Sequence, residues 1–156
     1  MYDKYMDEAI AEALKAEETG EVPVGAVVEK DGKIIGRGHN MTQTQKDPSA
    51  HAEIIALREA ANNLSGWRLT GCNLYVTCEP CAMCAGAMVL SRIKKVYIGT
   101  MDPKSGACGS VFNIIQEPGL NHLVEIETGI MQEECEKMMK DFFKKRRKNS
   151  TEEASK

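Results

Sequence analysis

Residues 78–84 read CEPCAMC: three cysteines spaced by threes, with a proline directly before the second. Few local patterns restrict a chain more. A strand can lead into such a run and a helix can leave it, because proline suits the first turn of a helix and disfavours a continuing strand. On that helix Cys81 and Cys84 share a face, since residues three apart are neighbours on a helical surface. Clustered thiols in a reducing compartment favour metal or catalysis over disulfides. The run therefore implies a metal centre at a strand-to-helix junction.

The rest of the chain agrees with a single compact α/β domain. Its 156 residues suit one domain able to bury a core without staples. The formal net charge of −3 is too mild to identify a partner and argues weakly against a protein that coats nucleic acid over its whole surface. No apolar run reaches the length of a membrane span, so no membrane association is expected. The opening MYDKYMDEAI carries acids in a helical pattern and does not read as a signal peptide, so the expected compartment is the cytoplasm.

Met6, Ile10, Ala13 and Leu14 recur at helical spacing and predict a helix from Tyr2 to about Glu18. VPVGAVVEK and KIIGRGHN flank Asp31-Gly32, a hairpin signal. Asp47-Pro48 is turn-like, and Ser49 or a neighbour is expected to cap a helix through AHAEIIALREAANNL. CNLYVTC and KKVYIGT read as strands around the cysteine helix, and LVEIET as a further short strand. The last helix is expected from Met131 to about Lys145. A domain over residues 1–148 would then leave a disordered polar tail at 149–156. Strands alternating with helices after an opening hairpin indicate a layered α/β domain with a mixed sheet.

Catalytic zinc takes three protein ligands and keeps a position for water, whereas structural zinc is closed by four. A helix N-terminus stabilises thiolates at Cys81 and Cys84, an advantage that Cys78 lacks. His51 is the expected third ligand, because it stands in HAE at the start of the preceding helix. Glu53 completes the set as an unligated carboxylate, able to take a proton from water and return it. Two other readings stay open. An iron–sulfur cluster would need a fourth cysteine, Cys72 or Cys108. A closed structural zinc would use Cys78, Cys81, Cys84 and His51.

HAE followed by CEPCAMC resembles the zinc nucleobase deaminases, whose signature is H-x-E…P-C-x-x-C. EVPVGAVV, AHAEIIALREA, WRLTGCNLYVTCEPCAMCAGAMVLSRI, DPKSGACGS, PGLNHLVEIETGI and DFFKKRR resemble, in the same order, the bacterial tRNA-specific adenosine deaminases over residues 2–147. The resemblance implies a three-layer cytidine-deaminase-like fold, a five-stranded mixed sheet with helices on both faces. It implies hydrolysis of the wobble adenosine of a tRNA anticodon to inosine, with release of ammonia, by a homodimer. It implies one Zn²⁺ per subunit on His51, Cys81 and Cys84, with Glu53 as the proton carrier. Asn40 would hydrogen-bond the flipped base. Asp102, Lys104, Asn121, Phe142, Phe143 and Arg147 become candidate contacts to the anticodon stem-loop. Lys144 to Lys148 add a basic run beside the two phenylalanines, suited to phosphates and splayed bases. Cys78 departs from the leucine expected there in many family members.

Overall fold

The structure is a computed structural model that describes residues 2–154, with side chains described for 3–150. Helix α1 spans Tyr2–Glu18 and is followed by the hairpin β1 (Gly25–Lys30) and β2 (Lys33–His39). Then come α2 (Ala52–Leu64), β3 (Asn73–Cys78), α3 (Ala82–Leu90) and β4 (Lys95–Thr100). A single 3₁₀ turn (Ile114–Gln116), β5 (Glu125–Thr128) and α4 (Gln132–Ala154) complete the chain.

The five strands form one sheet in the order β2-β1-β3-β4-β5. β1 runs antiparallel to both β2 and β3, while β3, β4 and β5 are mutually parallel. The hairpin turn needs positive φ at both central residues to match the strand twist, and Asp31 (φ 51°) and Gly32 (φ 83°) supply it. Alternation along the strands feeds two cores. Ala26, Val28, Leu74, Val76, Val96 and Ile98 pack with Ala56 and Ala60 of α2 and Met88 of α3. Val27, Tyr75 and Tyr97 point to the other side, against Tyr5, Met6 and Ala9 of α1 and Cys135 of α4. Helices therefore cover both faces, which is the expected three-layer arrangement. Among the described residues no helix is long and apolar enough to cross a membrane.

Three local expectations need correction. α2 is not capped by Ser49. His51 occupies the N-cap without a side-chain cap, and the first free amide, Ala52 N–H, donates instead to Asn40 Oδ1 at 2.9 Å. Pro80 precedes the helix rather than entering its first turn, because Cys81 is the N-cap of α3. The last helix does not end near Lys145, nor does a disordered tail begin at 149: α4 continues to Ala154. Asn149, Ser150 and Thr151 are weak helix formers, but no glycine or proline follows the basic run, and Glu152, Glu153 and Ala154 favour helix again.

Glycines set how closely α2 lies on the hairpin. A Cβ on Gly38 would stand 2.3 Å from the carbonyl oxygen of Ala52, and one on Gly36 2.2 Å from that of Ala56. The helix backbone thus rests directly on β2, and this contact fixes where the N-terminus of α2 arrives.

Candidate active site

Two helix N-termini meet at the carboxyl end of β3. His51 is the N-cap of α2 and Cys81 the N-cap of α3, both in extended backbone conformation. Cys84 follows on the first turn of α3 and is fully buried. His51 Nδ1 lies 3.5 Å from Cys81 Sγ and 3.6 Å from Cys84 Sγ. All three donor atoms fall within 4.8 Å of one another.

These separations test the fit to zinc. Tetrahedral angles with Zn–S near 2.3 Å and Zn–N near 2.05 Å put a sulfur and a nitrogen about 3.6 Å apart. The two observed nitrogen–sulfur distances match that spacing. One imidazole and two thiols is also a donor set that zinc prefers. The group can hold a metal through three protein ligands, leaving a position for a small molecule.

Cys78 is not in the donor group. It ends β3, where burial pushes its thiol up to about 12, and its sulfur lies outside the His51, Cys81 and Cys84 group. Cys72 and Cys108 are also buried, outside the group, with thiols raised chiefly by burial. Neither the iron–sulfur set nor the closed four-ligand set is assembled among the described residues.

The electrostatics suit a metal site. Cys81 is held down to about 3, first by the hydrogen bond from the Cys84 thiol and also by His51. Cys84 is pushed up by that same sharing with Cys81 and by burial. A cation bound there would displace the protons of these donors. The hydrogen bond to Cys81 raises His51 in turn. Glu53 lies on the first turn of α2, only 3% exposed. Burial raises its carboxyl to about 7, near the value that best serves a group taking and returning protons at neutral pH.

Asn40 borders the same helix start. Its Oδ1 is occupied by Ala52 N–H, so its amide N–H groups remain the side to offer a ligand. The preceding loop is tied down by a buried carboxylate that sequence reading passed over. Glu21 accepts from the amides of Gln43 (3.2 Å) and Thr44 (2.7 Å) and from the Thr44 hydroxyl (2.7 Å). A second overlooked carboxylate, Glu79, sits between the cysteines and reaches into the 102–110 loop. The only signal was an acid at the head of an apolar run, EVPVG, for Glu21, and one between the cysteines of CEPC for Glu79.

The remaining predicted contacts are more dispersed. Asp102 turns its carboxylate into its own loop, accepting from Lys104 N–H, Ser105 N–H and the Ser105 hydroxyl. Lys104 and Asn121 are exposed. On α4, Phe142 is buried at 9% exposed and meets Phe143, itself 37% exposed, edge to face at 5.3 Å. Arg146 lies over the Phe142 ring, and Arg147 is exposed. Phe143 is therefore the ring of the pair that α4 presents outward.

The chain is similar to known deaminases. The family model for MafB19-like deaminases matches residues 2–147. The tRNA-specific adenosine deaminase of Bacillus subtilis is 52% identical over 144 residues, covering 92% of this chain and 89% of that one. A solved structure from work on A-to-I editing by tRNA:A34 deaminases superposes with a TM-score of 0.84 at 41% identity, over 86% of this chain and 98% of that one. The guanine deaminase of Bacillus subtilis gives 0.61 at 33% identity, over 80% and 82%. Identity of the first kind, over nearly the whole of both chains, decides between these relatives: the chain belongs to the tRNA-specific adenosine deaminase family.

Proposed function

We propose that the protein hydrolyses the wobble adenosine of a tRNA anticodon to inosine, with one zinc per subunit on His51, Cys81 and Cys84. The observation that carries this reading is the convergence of those three donors beside the buried Glu53. Zinc, when bound, supplies Lewis-acid polarisation that lowers the pKa of water toward about 7.

The chain's own residues do the rest. Glu53 accepts a proton from the attacking water, whose oxygen adds to C6 of the base. Glu53 gives that proton to N1, then takes the proton of the new C6 hydroxyl and passes it to the departing nitrogen, so the C6–N bond breaks and ammonia leaves as the C6 carbonyl forms. A carboxyl raised to about 7 can hold the proton between these transfers. Asn40, its oxygen anchored by Ala52, turns its amide hydrogens to an acceptor on the purine edge. The base must leave the anticodon stack to reach so enclosed a carboxylate.

Lys104, Asn121, Phe143 and Arg147 are the contacts proposed to grip the stem-loop, with Phe142 packed beneath Phe143. Asp102 contributes by shaping its loop. The protein is proposed to work as a cytoplasmic homodimer. α3 supports that, because it presents Met83, Gly86 and Leu90 along one face and Leu90 is 70% exposed.

The test is a substrate comparison. The protein is incubated with an anticodon stem-loop carrying a wobble adenosine and, separately, with free adenosine, guanine and cytidine. Inosine from the stem-loop alone is the expected result. Product from guanine or cytidine alone would keep the chemistry and overturn the tRNA assignment.

A further inference from the structure

We propose that Glu79 is a positioning residue for the RNA-gripping loop: its buried carboxylate fixes residues 102–110 onto the cysteine-bearing segment, so that the platform meeting the RNA is held in register with Cys81. The proposal rests on the deaminase reading, because it gives that loop a role toward the RNA.

Glu79 stands between the end of β3 and the N-cap of α3, 4% exposed. Each of its oxygens accepts two hydrogen bonds from the far loop. Oε1 accepts from Asp102 N–H at 2.9 Å and from the Ser110 hydroxyl. Oε2 accepts from Cys108 N–H and Ser110 N–H, both at 3.0 Å. Backbone bonds continue the seam on either side: Glu79 N–H donates to Thr100 at 2.9 Å, and Ala107 N–H donates to Pro80 at 2.8 Å. A buried carboxylate is expensive unless its lone pairs are met, and here all the partners come from one loop. The fit leaves no slack, since a Cβ on Gly106 would stand 2.2 Å from the carboxyl carbon of Glu79.

The loop has two sides. Its underside, Gly106 to Cys108, is buried against Glu79 and Pro80, one residue from Cys81. Its outer side carries Lys104, and Phe112 follows two residues past its end; both are exposed, an amine for a phosphate and a ring for a splayed base. A loop of this kind is mobile unless tied, and a mobile platform loses binding rather than chemistry. Glu79 reaches the substrate only through the loop, so its signature lies in KM.

The experiment compares Glu79→Gln and Ser110→Ala with the wild type, all loaded with zinc and assayed on the wobble-adenosine stem-loop. Ser110→Ala removes one donor and leaves the carboxylate intact. Its KM is expected to rise roughly tenfold, the equivalent of one such bond, with kcat within about a factor of two. Glu79→Gln is expected to raise KM further, because an amide nitrogen faces two donors. Both variants should keep one zinc per chain, and amide hydrogen exchange over 102–110 should quicken in both. Unchanged KM and exchange in both variants, or a fall confined to kcat, would overturn the proposal. A wild type that makes no inosine from the stem-loop would overturn the deaminase reading, and this proposal with it.

Discussion

Three cysteines stand within seven residues, and single atoms separate their fates. Cys81 and Cys84 meet His51 at the metal spacing, while Cys78, at the end of β3, lies outside that group. Cys81→Ala is expected to lose its zinc and Cys78→Ala to keep it, read by metal content per chain after dialysis. Zinc loss from the Cys78 variant would return that residue to the ligand set. Glu21 gives a prediction of a different kind. Burial pushes its carboxyl up, but the bonds from Thr44, Gln43 and Thr42 more than reverse this and leave it below its ordinary value. A depressed folded pKa contributes stability that is fully present above the unfolded value, about 4.3, and lost as pH falls through the folded one. Glu21→Gln should therefore cost about 1–3 kcal/mol at pH 7. The gap to wild type should narrow below about pH 4 in denaturant titrations. A gap independent of pH would refute the charged role.

The elements explain why the residues meet. α2 and α3 both deliver their N-termini to the carboxyl end of β3, so His51 and Cys81 arrive together, Cys81 at the dipole end that favours a thiolate. The glycines of β2 set α2 at its height. Gly38→Ala puts a methyl into the Ala52 carbonyl, a backbone atom that cannot rotate away. The expected cost is about 1–3 kcal/mol of stability, with weaker zinc binding because α2 must lift at the end that carries His51. A variant with wild-type melting and full zinc would show that the close approach is not needed. Much of this level was legible beforehand. The stripe through Met6, Ile10 and Ala13 marked α1 over its observed span, and Asp31-Gly32 marked the hairpin. What stayed hidden was non-local. The cap of α2 comes from Asn40, twelve residues away, where Ser49 had the local credentials. The end of α4 was misjudged because the small polar residues after the basic run read as frayed, although no glycine or proline among them breaks the helix.

At the scale of the whole molecule, the resemblance led to the three-layer sheet, and the two-sided alternation of β1, β3 and β4 explains why helices must cover both faces. The three donors that could hold a metal were legible because the chemistry demands those residue types at those spacings. Glu21 and Glu79 were not, because a buried acid is recognisable only once the loop that feeds it hydrogen bonds has folded around it. The exposed α3 face bears on assembly. Sedimentation of the wild type is expected at twice the 17.2 kDa chain mass, and Leu90→Asp should shift it toward the monomer. A monomeric wild type would remove the dimer from the account. The most direct test of the central claim joins metal content to turnover in Glu53→Ala, with the anticodon stem-loop as substrate. The account expects one zinc per chain and loss of inosine formation by several orders of magnitude, since the proton carrier is gone while the three donors remain. Inosine formed at an undiminished rate by that variant would contradict it.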